Sequence, residues 1–512
     1  MEERPDSRRG DWGRIALVAL LAIGVRGWVI THTEVVARDS IGFIRYALQL
    51  EDEPLLQVIR RSEQHPGYPL SVMLVSKPVR ALTGGLSCDA MTLSAQLASA
   101  IAAILMIVPV FFLGKALFGR QAGFLAAALL QCLPVFVHVT TDGLSEALFL
   151  LFLSSGLYFA VAGMQIPSAR RFLLCGLFTG LAYLTRPEGG ELALAAGLIL
   201  VAVGSRSWGW RRTAIRAAAL AAGFLPFLAF YVGITGHLTN KPTGQEWLGK
   251  QQEAAPIVAK NCPTLLAAFW DPQLEEGKSR LLWGGKTLFW ETAKAFHYVG
   301  AVLAVLGLIW FRRRLRDDAG MWVSLALAGI HAVVLWRMAI VTGYISERHT
   351  LVFVLIGSLW AAAVIPELGR WLGSYIVLAR PDVARWGTAL ICAGLLISAL
   401  PELSKPLHAN RAGHHAAGCW MATHVSAADE IIDPFCWGHY YAGCVFREGK
   451  TAPPPIHTRF VVLEQGANQH MRLTGMSIAR DVAAHGEIVY HWPEQRPLEN
   501  AQVVVYRVDA GN

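Results

Sequence analysis

The stretch WGRIALVALLAIGVRGWVITHTEVVARDSIGFIRYALQL, residues 12–50, joins an apolar run to a charged motif. The run from Trp12 to Ile30 is as long as a helix must be to cross a hydrocarbon core. It follows Arg4, Arg8 and Arg9, holds Arg14 at its start and Arg26 near its far end, and lacks a small-residue cleavage site, so it reads as a retained anchor. Beyond it, Arg38-Asp39-Ser40 opens a segment with Phe43, Tyr46, Ala47 and Leu50 at three- and four-residue spacing. An amphipathic helix of that pattern lies along a membrane surface and presents Asp39 beside the interface.

The alternation of apolar run and polar motif continues along the chain. Spans fall near 12–31, 91–113, 121–139, 144–163, 171–185, 189–204, 213–235, 294–311, 321–340, 348–366 and 386–401. The pattern predicts an α-helical polytopic membrane protein with about 11 transmembrane helices. The short segments 171–185 and 189–204 also suit one helical hairpin dipping around Arg186-Pro187. A chain 54% hydrophobic and 16% charged is too apolar for an ordinary soluble protein. Its net charge of +8 is dispersed over short loops, which argues for membrane topology and against a nucleic-acid patch.

Charge counting on alternate loops orients the spans. One side receives the N-terminal arginines, then Lys115 and Arg120, Arg170 and Arg171, Arg206 to Arg216, Arg312 to Arg316, and Arg370, Arg380 and Arg385. Short loops on the other side hold only Arg186 and Arg348. The cation-rich side is cytoplasmic by the positive-inside rule. Six polar motifs therefore share the outer face: Ala37 to Ser40, His65-Pro66-Gly67-Tyr68-Pro69, Thr141 to Glu146, Thr185 to Gly189, Glu246-Trp247 and Ser346 to His349. Two longer outer loops, 32–90 and 236–293, join residues 1–403 into a membrane domain. From about Ser404 the apolar content falls, and a helix from His414 to Val425 precedes strand-like runs at 430–432, 460–463, 487–490 and 503–506. Residues 404–512 are therefore expected to form a small extracytoplasmic α/β domain.

Charges gathered on one face suit chemistry at one membrane surface. Asp39 is placed to accept a proton or share a metal, although an Asp-Ser pair ahead of an apolar run also suits a helix cap. Asp142 and Glu146 at a helix start are likewise favoured electrostatically; with Asp39 they are candidates to share one divalent cation. His65 and Tyr68 lie in a turn made rigid by two prolines; His65 either binds a metal or phosphate or marks the interface, and Tyr68 suits the boundary layer equally well. Arg186 and Arg348 are candidate anion ligands, since a fixed guanidinium fork suits a phosphate, with Glu188 and Glu347 as neighbours to hold them. The alternative for each arginine is a structural ion pair at a helix end. Trp247, Trp270, Trp283 and Trp290 read as a belt at headgroup level or as a sugar-stacking surface. The cysteines lack paired metal spacing; Cys436 and Cys444 are either a disulfide or small core thiols.

In order and sidedness these motifs resemble the multi-pass C-type glycosyltransferases, in the bacterial branch related to protein O-mannosyltransferases and the lipid A aminoarabinose transferase. The residues carrying the resemblance are Arg38-Asp39-Ser40, His65 to Pro69, Ser145-Glu146, Tyr183 to Gly189, Glu347-Arg348-His349 and the outer tail. The resemblance implies inverting transfer of a sugar from a polyprenyl-phosphate donor to a glycan, lipid or protein acceptor. It also implies a bacterial inner membrane location with the active site on the extracytoplasmic face. Asp39 would be the general base, with Arg186, Arg348, His65, Tyr68, Glu188 and His349 around the donor phosphate. Many relatives carry two adjacent acidic residues in the first loop, whereas here Asp39 stands between Arg38 and Ser40, with Glu34 the nearest other carboxylate on that side.

Two other readings make different demands. A flippase of lipid-linked saccharide needs ionisable groups along a mid-membrane path, yet Arg26, His331 and Arg337 are nearly the only ones in the spans. An envelope-assembly protein with a degenerate centre would tolerate Asp39→Asn.

Overall fold

The structure is a computed structural model, and it describes residues 5–247, 280–375, 382–426, 428–447, 458–465 and 475–509. Helix α1 (Pro5–Thr31) is followed by three helices in the first long loop: α2 (Arg38–Asp52), α3 (Leu55–Arg61) and α4 (Gly67–Thr83). The apolar bundle contains α5 (Cys88–Leu105), α6 (Ile107–Phe118), α7 (Arg120–Leu130), α8 (Pro134–Val139), α9 (Glu146–Gln165), α10 (Ala169–Thr185), α11 (Gly190–Trp208) and α12 (Trp210–Thr235). After α13 (Pro242–Trp247) come α14 (Arg280–Ala295), α15 (Val299–Trp310), α16 (Ala319–Thr342), α17 (Leu351–Tyr375) and α18 (Asp382–Leu403).

Every predicted span coincides with helix, but not always with one long helix. Among the described residues eight helical stretches are long and apolar enough to cross a membrane. The pair Leu281–Ala295 and Val299–Trp310, bent by 103°, makes a ninth if counted as one span. The predicted span 121–139 is instead split into α7 and α8, where Pro134 cannot donate the hydrogen bond that would continue α7. The predicted span 171–185 is the 17-residue α10, and with α11 it forms two separate helices.

The C-terminal part carries a four-stranded sheet of β1 (Glu430–Ile432), β2 (Thr458–Glu464), β3 (Glu487–Trp492) and β4 (Val503–Asp509) in the order β1-β2-β4-β3. Only β1 and β2 run parallel. These strands fall where the β-branched runs predicted them, and α19 (Ala412–His424) covers the predicted helix. Two short helices, α20 (Trp437–Tyr441) and α21 (Gly475–Ala483), complete this region.

The sheet region is not tethered at arm's length. Val35, Ile41, Ile44, Tyr68, Met91 and Leu144 share one apolar core with Phe435, Trp437, Tyr440 and Val461. Helix α2 was expected to lie against lipid; its Ile41, Ile44 and Ala47 are buried in this protein core instead. Cys436 and Cys444 are not joined by a disulfide, and both pack at apolar cores, as the small-thiol reading has it. Of the tryptophan set, Trp290 is exposed on α14 and Trp283 half-buried, while Trp270 and the side chains of Glu246 and Trp247 lie outside the described residues.

Candidate active site

Five of the predicted residues converge into one chain of alternating charge. Asp39 sits in the first turn of α2, whose cap position is Ala37. Its Oδ2 lies 2.6 Å from Nη2 of Arg348. Arg348 Nε is 4.0 Å from Oε1 of Glu146, the first residue of α9. Arg186 Nη1 donates to the same Glu146 oxygen at 2.6 Å, and its Nη2 donates to Oε1 of Glu188 at 3.1 Å. A narrow cleft between α9, α16 and the turns before α11 and α17 is lined by Glu146, Phe149, Arg186, Glu188, His331, Arg348 and His349.

Local sequence explains how each arginine is presented. Proline disfavours the helical region for the residue before it, so Arg186 is extended (φ −150°, ψ 139°) and α10 stops at Thr185. A 3-10 turn, Pro187–Gly189, then carries Glu188 back toward Arg186. A Cβ on Gly67 would stand 2.8 Å from both Leu184 O and Thr185 Oγ1, so the His-Pro-Gly turn is the backing of the Arg186 corner. Arg348 lies in the 3-10 turn Glu347–Thr350, capped reciprocally by Ser346 and His349. Beneath it, His331 contacts Glu191 at 2.8 Å and the His349 carbonyl at 3.1 Å.

Several expected roles change. Tyr68 is fully buried; its hydroxyl donates to Ala95 O and contacts Ser99, so it supports α5 and does not reach a phosphate. His65 is buried, stacks on Tyr231 at 4.1 Å and contacts Thr239 Oγ1 at 3.3 Å. Burial first, then the charge of Lys241, push its imidazole down to about 3, so it stays neutral and positions the 236–241 loop. His349 lines the cleft, with Nδ1 taken by the cap. Glu188 holds Arg186 as expected, but the partner of Arg348 is Asp39 and not the adjacent Glu347.

The three carboxylates proposed for a metal do not form a site. Asp39 is taken by Arg348 and Glu146 by Arg186. Asp142 points elsewhere, accepting from Ala37 N–H at 3.0 Å and meeting His408 Nε2 at 2.7 Å. Among the described residues no group of three His, Cys, Asp or Glu is arranged to hold a metal ion. These residues therefore do not fit a divalent cation, and no step is assigned to one.

One member of the site has no sequence motif. Lys241, six positions past the end of α12, is half-buried, and its charge is coupled to those of Glu188, Arg186, Glu146 and Arg348. Among the described residues it makes no ion pair, whereas both arginines do. Burial lowers its ammonium to about 8, Glu188 and Glu146 opposing the shift and Arg186 and Arg348 adding to it. Charge counting on short loops passed over it because it opens the long loop 236–293. For Asp39, burial raises the carboxyl pKa, but the charge and hydrogen bond of Arg348, with Arg38 and Lys241, outweigh this and hold it below its ordinary value.

The membrane bundle with its C-terminal sheet is the fold of the C-type polytopic glycosyltransferases. Residues 85–232 match the dolichyl-phosphate-mannose-protein mannosyltransferase family. Among solved structures, the chain is similar to ArnT from Cupriavidus metallidurans in the apo state, with a TM-score of 0.56 at 12% identity over 97% of this chain and 98% of that one. For ArnT bound to undecaprenyl phosphate the TM-score is 0.55 at 13% identity, over 96% and 98%. The archaeal oligosaccharyltransferase AglB from Archaeoglobus fulgidus, in complex with an inhibitory peptide and a dolichol-phosphate, gives 0.50 at 14% identity over 88% of this chain. The chain spans 58% and 61% of the length of two Archaeoglobus fulgidus oligosaccharyltransferase chains. A comparison with curated proteins found no match.

Proposed function

We propose that this protein transfers a sugar, with inversion, from a polyprenyl-phosphate-linked donor to an acceptor at the outer face of a bacterial inner membrane. The observation that carries the reading is the convergence of Asp39, Arg348, Glu146, Arg186 and Glu188, together with the charge coupling of Lys241, which makes no ion pair among the described residues. Residues 1–403 would form the membrane domain, with 404–512 packed onto its outer loops. That ArnT was solved bound to undecaprenyl phosphate and AglB with a dolichol-phosphate supports a lipid-phosphate donor.

In this reading Asp39 takes the proton of the acceptor hydroxyl. The acceptor oxygen forms a bond to the anomeric carbon as the bond from that carbon to the phosphate oxygen breaks. The electron pair leaves on the polyprenyl phosphate. Lys241 meets that phosphate, while the paired Arg186 and Arg348 add a fixed positive field at the cleft. One in-line displacement needs a single base and charge stabilisation, which these residues supply.

The test is sugar release by the purified protein from a panel of polyprenyl-phosphate sugars, with Asp39→Asn as control and product configuration read by NMR. Donor-specific turnover that vanishes in the variant, with an inverted product, is expected. Undiminished turnover in Asp39→Asn, or a retained configuration, would overturn the mechanism.

A further inference from the structure

Outside the cleft, one segment is held from two directions by residues to which the reaction gives no role. It is the connection 32–37, which delivers the chain from α1 to Asp39. Glu34 N–H donates to Leu407 O and Leu407 N–H to His32 O, both at 3.0 Å. Val36 N–H donates to the Tyr441 hydroxyl at 3.1 Å, and Val36 O accepts from Trp437 Nε1 at 2.8 Å. Ala37 N–H donates to Asp142 Oδ1, and Ser40 Oγ lies 2.8 Å from the carbonyls of Asp142 and Gly143. The other oxygen of Asp142 meets His408, whose backbone is left-handed at φ 54°.

We infer that the Asp142–His408 pair, with Trp437 and Tyr441, positions the N-terminus of α2, so that the chain beyond α18 is part of the catalytic centre. The geometry supports this in two ways. Asp142 is a buried carboxylate whose two oxygens serve different parts of the chain, the backbone next to Arg38-Asp39 and the side chain of His408. Its partners leave no oxygen of Asp142 unpaired among the described residues, as a linking role requires. The segment 32–37 contains no helix that would set its own path, and a displacement of about 1 Å at a reacting group slows turnover by up to roughly 100-fold. Asp142 and His408 are therefore positioning residues. The inference rests on the reading of Asp39 as the base.

The experiment uses the full chain in nanodiscs, with His408→Ala, His408→Gln and Asp142→Ala. Backbone amide exchange at residues 34–41 reads the clasp directly. Steady-state turnover of the donor found in the panel, together with binding of undecaprenyl phosphate, reads its consequence. His408→Ala and Asp142→Ala are expected to speed exchange there and to lower kcat on the order of 10- to 100-fold, with undecaprenyl phosphate affinity unchanged. His408→Gln, which keeps a side-chain donor, should recover most of both. Unchanged exchange in His408→Ala and Asp142→Ala would overturn the clasp. Faster exchange with wild-type kcat would overturn the positioning role. Full turnover in Asp39→Asn would instead overturn the base assignment, and the exchange data would still decide whether the clasp exists.

Discussion

Asp39 and Arg348 form an ion pair of 2.6 Å that joins the first turn of α2 to the turn before α17. The carboxyl is held below its ordinary value, because Arg348, Arg38 and Lys241 outweigh the upward push of burial. A lowered pKa keeps the base ionised down to acid pH, so the acidic limb of kcat/KM should lie below the ordinary aspartate value of about 3.9. In Arg348→Gln burial acts with less opposition, and the limb should rise. A pH profile of kcat/KM checks this; an unmoved limb in the variant would remove Arg348 from the control of Asp39.

Lys241 offers the opposite limb. Its ammonium titrates at about 8, so the cation is present below that pH and lost as pH rises through it. The donor KM should therefore climb above pH 8. Lys241→Ala should raise the donor KM about tenfold, equivalent to about 1.4 kcal/mol, and also lower kcat, since the same cation meets the charge that builds on the leaving phosphate. Lys241→Arg should keep the affinity and flatten the alkaline rise. Donor saturation curves at several pH values decide between this assignment and one in which Lys241 only fills space.

Glu146 is 3% exposed and faces both arginines, so it balances charge inside the bundle. Removing one partner of a buried pair leaves an uncompensated charge, at about 3–5 kcal/mol. Glu146→Ala should lose that much stability, and Glu146→Gln less, since the amide oxygen still accepts from Arg186. Thermal unfolding in one detergent ranks the variants; equal midpoints for Glu146→Ala and wild type would contradict a buried network.

Gly67 is a steric prediction without any charge in it. A methyl there meets Leu184 O and Thr185 Oγ1 at 2.8 Å, and one contact is backbone. Overpacking of this kind costs about 1–3 kcal/mol. Gly67→Ala should lower the unfolding midpoint and, by shifting the corner that carries Arg186, reduce turnover. Wild-type stability and rate together would show that the two turns are not in register.

Local signals carried much of this architecture. Apolar runs marked most helices of the bundle, though not α14, which falls in the expected outer loop 236–293, and β-branched runs marked the four strands, because each pattern is written within a few turns of chain. The convergence of Asp39, Glu146, Arg186 and Arg348 was readable as shared sidedness, but their pairing was not. Arg348 pairs with Asp39 in preference to its neighbour Glu347, a choice set by packing between distant elements. Asp142 looked like a metal ligand for the same reason: a carboxylate beside Glu146 in sequence gives no sign that it faces His408. His65 and Tyr68 had the composition of a binding turn, and burial turned them into supports. Lys241 lacked any motif, and only the fold couples its charge to the paired arginines and carboxylates.

The hydrogen bonds of Val36 to Trp437 and Tyr441 have a consequence for how the molecule is made. Domains generally fold as units as the chain is synthesised, N-terminal parts first. The connection leading to Asp39 is synthesised early, yet its partners emerge only after the last apolar helix. A nascent chain halted between α18 and α20 would hold an assembled bundle around an unset loop. Competence would then arrive with Trp437 and Tyr441, after the last apolar helix has been made.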